Sequence, residues 1–144
     1  MVIGIMGENC SGKSTLAEEI RREFGAEVVT GRDYLRMAKS ESGAEALFAE
    51  KLRRAMTEGN VIYVVSEPEL LRFLPDGAVR IRVNADLETI RERFGARMRG
   101  RLPDPVARML ENRHGLFDRE PADLDYDGVN GDPASLCALL RERI

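Results

Sequence analysis

Near the start of the chain, Gly7-Glu8-Asn9-Cys10-Ser11-Gly12-Lys13-Ser14-Thr15 follows the apolar run Val2-Ile3-Gly4-Ile5-Met6. The spacing G-x-x-x-x-G-K-[ST], between a strand and a helix, is the P-loop pattern. Glycines at either end let the backbone wrap an anion without a Cβ in the way. Successive amides of Asn9, Cys10, Ser11 and Gly12 then form a nest for phosphate. The helix that begins near Lys13 adds its positive N-terminal end. Lys13 supplies a mobile full charge for the outer phosphates, Ser14 ends the motif and is placed to bind Mg²⁺, and Thr15 follows as a further nucleotide-binding candidate. The pattern therefore predicts ATP and Mg²⁺ as cofactors, held by Gly7 and residues 9–15.

Phosphoryl transfer needs positioning and charge neutralisation more than covalent chemistry, and candidates for both follow. Asp33 lies just past a second strand, where it would orient or deprotonate an acceptor hydroxyl, or else cap the next helix. Glu67 follows the most apolar strand, either in a metal or acceptor role or as an acidic residue in the first turn of a helix. Arg93, Arg97 and Arg101 recur every four residues, with Gly100 and Pro103 breaking the helix beside them. Guanidinium forks suit phosphate, so Arg97 and Arg101 are the catalytic candidates alongside Lys13 and Asp33. The single histidine, His114, reads as a partly buried structural residue. Cys10 and Cys137 have no metal-type spacing and read as reduced thiols. In Cys10 a small filler residue is weighed against a thiol of lowered pKa at a helix N-terminus.

These residues need a frame. Apolar periodicity predicts a helix to about Phe24 and a strand over Glu27–Thr30. A helix opening on a capping box at Ser42–Glu45 should follow. Val61–Val65 reads as a strand buried on both faces, and Val79–Val83 as a strand with one wetter face. A helix over Asp86–Met98 comes next, then one opening on Asp104 as N-cap and Pro105 as N1. A short strand over Asp125–Val129 and a helix after Asp132-Pro133 complete the chain. Alternating strands and helices imply a three-layer α/β/α fold around a five-stranded parallel sheet, with a short lid. Ligand should then lie outside the carboxyl ends of the strands.

The 144 residues fit a single domain, with an acceptor-binding helical region at about 31–59 and a lid at about 97–104. A net charge of −3 argues against a general nucleic-acid binder. No apolar run is long enough for a membrane span, and a first strand running straight into the loop leaves no room for a secretory leader. The expectation is a cytoplasmic protein, monomeric or a small homo-oligomer, whose partners are a nucleotide and a small-molecule acceptor.

With these motifs in hand, the chain resembles the P-loop small-molecule and nucleoside-monophosphate kinases, most of all the shikimate-kinase and adenylate-kinase branches. Thr30-Gly31 with Arg36 beyond is similar to the T-G-x-x-x-R acceptor segment of adenylate kinases, with the arginine one residue later. Asp33 falls near the acceptor-side aspartate of shikimate kinases. Arg97 to Arg101 resembles a very short lid. Arg113 to Asp123 is similar to a late shikimate-kinase segment, which implies a substrate contact for Arg113. Residues 128–133 resemble the loop beside the adenine. The resemblance implies an ATP- and Mg²⁺-dependent phosphotransferase whose acceptor, a small molecule or a nucleotide, meets Thr30, Gly31, Asp33, Arg36 and Arg113, to which Glu67 is added from its place after the central strand. Ser66-Glu67-Pro68 matches neither branch at that position, so the sequence does not name the acceptor. A nucleotide-binding switch or a simple NTPase without acceptor chemistry stands as the alternative.

Overall fold

A computed structural model describes residues 1–143. Five parallel strands, β1 (Val2–Met6), β2 (Glu27–Thr30), β3 (Val61–Val65), β4 (Val79–Asn84) and β5 (Leu124–Asp127), form one sheet in the order β2-β3-β1-β4-β5. Five α-helices connect or follow them: α1 (Lys13–Phe24), α2 (Glu41–Ala55), α3 (Leu87–Arg97), α4 (Asp104–Arg113) and α5 (Pro133–Glu142). Two 3₁₀ segments, Asp33–Met37 and Pro68–Phe73, leave β2 and β3. The expected three-layer architecture is present.

The strand alternation sorts the core into two faces. Ile3 and Ile5 of β1, with Ile62, Val64, Ile81 and Val83, meet Leu16, Ala17 and Ile20 of α1 and Leu136, Cys137 and Leu140 of α5. Val2 and Met6, with Tyr63 and Val65, meet Phe48 and Leu52 of α2, Tyr34 of the first 3₁₀ segment and Leu70, Leu71 and Phe73 of the second. Because β1 and β3 lie inside the sheet and are covered on both faces, every residue in them is buried, and this is why they read as unbroken apolar runs. A third and smaller cluster, Cys10, Ile90 and Leu110, holds α3 and α4 against the rest.

Two helix starts differ from the sequence expectation. Ser40, not Ser42, caps α2, its Oγ accepting the Gly43 amide at 3.1 Å. The choice is steric, because a Cβ at position 43 would stand 2.7 Å from that oxygen, so glycine is what admits the cap. Helix α4 begins at Asp104 itself, with Pro103 as N-cap, so the Asp104 carboxylate acts in the first turn and makes no capping bond. Asp86 and Asp132 cap α3 and α5, the latter as expected.

Candidate active site

The phosphate loop leaves β1 at Gly7, whose amide donates to the Val65 carbonyl at 3.3 Å. It turns through Cys10, which has φ 65°, and Gly12, with φ 111°. Only glycine adopts the second angle without strain. A Cβ at Gly12 would also sit 3.0 Å from the Gly128 carbonyl. The first-turn amides of α1 have no intrahelical partner and are free to serve an anion.

Lys13 is buried, only 7% exposed, where the sequence had led us to expect a mobile loop lysine. Its Nζ donates to the Glu8 carbonyl at 2.7 Å. Burial is the main force that brings its pKa down to about 8, with Arg97 adding repulsion against the opposing pull of Cys10 and Glu8. Behind the loop, the Ser11 hydroxyl is buried without a partner among the described residues.

In front of the loop lies an open cleft of about 990 Å³ at the carboxyl edge of the sheet. Asn9, Cys10, Gly12, Lys13, Ser14 and Thr15 line its floor. Thr30, Gly31, Asp33 and Glu67 line it from the β2 and β3 ends, and Arg97 from α3. Five expected residues do not line it. Gly7 and Ser11 are buried and support the loop from behind. Arg36 and Arg101 are exposed outside the cleft and have no bonded partner among the described residues. Arg113, half-buried on α4, donates to the Ser66 carbonyl at 3.2 Å and lies outside the lining.

Arg101 stands apart because α3 ends at Arg97. Arg99 and Gly100 then take left-handed conformations, with φ 60° and 80°. The four-residue periodicity is broken before it reaches position 101. Arg93, one turn earlier, is the better-placed partner. Its guanidinium donates to the Cys10 carbonyl at 3.1 Å and to the Gly128 carbonyl at 2.9 Å, stapling the phosphate loop to the β5–α5 connection. That connection supplies Gly128, Val129 and Gly131 to the cleft, flanked by Tyr126 of β5 and Pro133 of α5. The recurring arginines signalled Arg93, but nothing in the sequence favoured its backbone role over a solvated face. Arg97 reaches the cleft with no internal partner among the described residues.

At the other end, Asp33 Oδ2 accepts the Thr30 hydroxyl at 2.6 Å, which leaves its second oxygen free. Arg32, which the sequence reading passed over, also lines the cleft. It donates to Glu67 at 3.0 Å and to Glu69. The bond from Arg32 holds the Glu67 carboxyl below its ordinary pKa, and the same pairing raises the pKa of Arg32. An arginine beside Asp33 at a strand end was the available signal. Below these residues Tyr34, Phe48, Tyr63 and Phe73 form an aromatic cluster, with Tyr34 stacked on Phe48 at 5.2 Å. Tyr63 donates to the Gly31 carbonyl at 2.7 Å, and burial pushes its phenol pKa up.

On the far flank, Glu8 ties the loop to the segment after α4. Its carboxylate meets His114 Nδ1 at 3.0 Å and accepts the Gly115 amide at 3.3 Å. His114 is 39% exposed, more open than a core histidine, and its role is this tether.

No family model matches the sequence, and neither does any curated protein. Solved structures match over nearly the whole chain. Shikimate kinase from Acinetobacter baumannii, solved with shikimate, superposes with a TM-score of 0.63 at 15% identity, covering 98% of this chain and 90% of that one. A gluconokinase from Sinorhizobium meliloti 1021 gives 0.62 at 18% identity, with 98% and 93% covered. Deoxyadenosine kinase from M. mycoides, with bound dATP, gives 0.57 at 16% identity, with 99% and 98% covered. With its phosphate loop after β1, its all-parallel strand order and these full-length superpositions, the chain has the P-loop kinase fold.

Proposed function

We propose that the chain is an ATP- and magnesium-dependent phosphotransferase acting on a hydroxyl of a small acceptor. The observation that carries this reading is the division of one cleft. Lys13 and Arg97 stand by the loop, and an aspartate with a free oxygen stands across from it at the end of β2.

The loop amides and Lys13 hold the nucleotide phosphates, Lys13 giving up its Glu8 carbonyl for phosphate oxygens. The β5–α5 connection, held down by Arg93, borders the space for the base. Asp33 accepts the acceptor hydroxyl proton as the acceptor oxygen bonds to the γ-phosphorus. The bond from that phosphorus to the bridging oxygen breaks, and ADP leaves with the electron pair. Arg97 offsets the charge that spreads over the transferring group. The protein donors fit magnesium, which keeps several waters and needs only one or two protein oxygens. Ser14 would hold it, with Asp33 or Glu67 through water, and no group of three His, Cys, Asp or Glu forms a cage among the described residues. Bound magnesium would neutralise charge on the outer phosphates. Residues 31–59 form the acceptor side of this reading and 97–104 its lid.

The absence of an aspartate after β3 and the pairing of Glu67 with Arg32 favour, as a second reading, a nucleotide-binding switch. ADP release with and without acceptors, in ATP and Mg²⁺, separates the readings. Acceptor-dependent release is expected. Release that ignores every acceptor marks an NTPase, and nucleotide binding without release marks a switch.

A further inference from the structure

The sheet order places the two ends of the cleft on opposite sides of β1. The loop side and the β4–β5 side carry Lys13, Arg93 and Arg97, while the β2–β3 side carries Asp33, Glu67 and, just outside the lining, Glu69. Set against these three carboxylates at the acceptor end is one lining cation, Arg32, and it is already bonded to two of them. The neighbouring cations are engaged too. Arg113 donates to the Ser66 carbonyl, and Arg72 to Glu45 and to the Glu69 carbonyl. Arg36, which the kinase resemblance had offered for an anionic acceptor, lies outside the cleft. The apolar lining at this end comes from Val64 and Leu70.

We propose that the acceptor is an uncharged, hydroxyl-bearing compound, and that the carboxylates around Arg32 select against carboxylate and phosphomonoester acceptors. The proposal rests on the phosphotransferase reading and concerns the acceptor end of that same cleft. An anionic acceptor would bring its charge beside Asp33 and Glu67 and would have to draw Arg32 away from two carboxylates, and like charges in contact are strongly disfavoured. An uncharged acceptor loses nothing there. Its reacting hydroxyl donates to the free oxygen of Asp33, and further hydroxyls donate to Glu67. Transfer is then the step given above: the acceptor oxygen–phosphorus bond forms, the proton passes to Asp33, and ADP departs.

The test uses pairs that share a ring and its hydroxyls and differ in charge: methyl shikimate and shikimate, methyl quinate and quinate, methyl glucuronate and glucuronate. Phosphorylated product is measured by mass spectrometry with ATP and Mg²⁺. Binding of each compound is measured by calorimetry with a non-hydrolysable ATP analogue in place. The uncharged member of the best pair is expected to show about tenfold or greater kcat/KM and affinity over its anionic counterpart. In the double variant Glu67→Gln, Glu69→Gln, which releases Arg32, that ratio should move by about tenfold or more toward the anion. Equal use of both members, or preference for the anion, in the wild-type protein overturns the proposal and leaves the phosphotransferase reading standing. A ratio unmoved in the double variant overturns the role given to the carboxylates. If no compound binds or is phosphorylated while ATP is bound, the phosphotransferase reading falls and the proposal falls with it.

Discussion

Lys13 is a charge held where charge is costly, and this sets how its chemistry responds to pH. Its pKa near 8 lies below the ordinary 10.5, chiefly through burial. A lysine lowered on folding weakens the empty fold while it is protonated. That cost is fully present below about pH 8 and fades as pH rises from 8 toward 10.5. Bound phosphate restores the charged form. ATP affinity is therefore expected to be level below about pH 8 and to fall by up to roughly tenfold per pH unit above it. Titrations between pH 6.5 and about 9.5 measure this, and a flat profile would show that Lys13 does not pair with the nucleotide. Lys13→Met should abolish transfer yet leave the melting temperature of the empty protein unchanged or higher, because it removes a buried charge. A clear fall in that temperature would give the lysine a structural role instead. For Asp33→Asn, turnover is expected to drop by roughly 10²–10⁴ with little change in ATP affinity, the pattern of a group that acts on the proton of the acceptor. Full activity in the variant would leave Asp33 as a partner of Thr30 and nothing more.

At the scale of elements, the aromatic cluster joins α2 and both 3₁₀ segments to the sheet beneath the acceptor side. Within it the Tyr34 hydroxyl is buried with no partner among the described residues. An unpaired buried hydroxyl costs about 1–3 kcal/mol. Tyr34→Phe is accordingly expected to stabilise the protein by up to that amount in urea unfolding, and a measurable loss of stability would mean that the hydroxyl has a partner. Arg93 works between elements. Lysine at that position cannot bridge the Cys10 and Gly128 carbonyls with one fork. Arg93→Lys should thus weaken ATP binding by about tenfold while preserving the fold, measured by calorimetry alongside the melting temperature. The elements themselves were largely legible. The apolar runs of β1 and β3 announced interior strands, and Asp86 and Asp132 marked helix starts. The start of α2 was missed because two serines lie within one turn, and only the approach of Gly43 to Ser40 decides between them. Arg101 was drawn from a four-residue spacing that ends with α3 at Arg97, and Arg36 from its likeness to a motif whose arginine stands one residue nearer; both lie outside the cleft lining.

Across the molecule, parallel topology did most to assemble the site. It brings residues 30–33, 66 and 67 to the phosphate loop although they are far apart in sequence. A periodicity argument can foresee that convergence. It could not foresee which side chains would already be bonded to one another, and the pairing of Arg32 with Glu67 and Glu69 changes what the acceptor end offers. The apolar contacts are also unevenly shared. Helices α1, α2 and α5 are built into the two large clusters, whereas α3 and α4 rest on the small one around Cys10, Ile90 and Leu110. Regions with few buried apolar contacts open most readily. Amide exchange in residues 94–109 is therefore expected to outpace that of α1 and to slow when ATP binds. Uniform exchange, or exchange indifferent to ATP, would show that this pair of helices does not respond to the nucleotide.

The join between α3 and α4 bears on how the protein can be altered as well as on what it does. Gly100 sits at its crest in a left-handed turn, exposed, and a side chain added there would meet no neighbour within 4 Å. Chain spliced into such a crest disturbs no packing, and its entropic cost grows only slowly, by about 0.6 kcal/mol for each doubling of loop length. The crest can thus carry cargo: a short peptide bearing a fluorophore, inserted after Gly100, would ride on the segment next to Arg97 and report its position without touching the sheet.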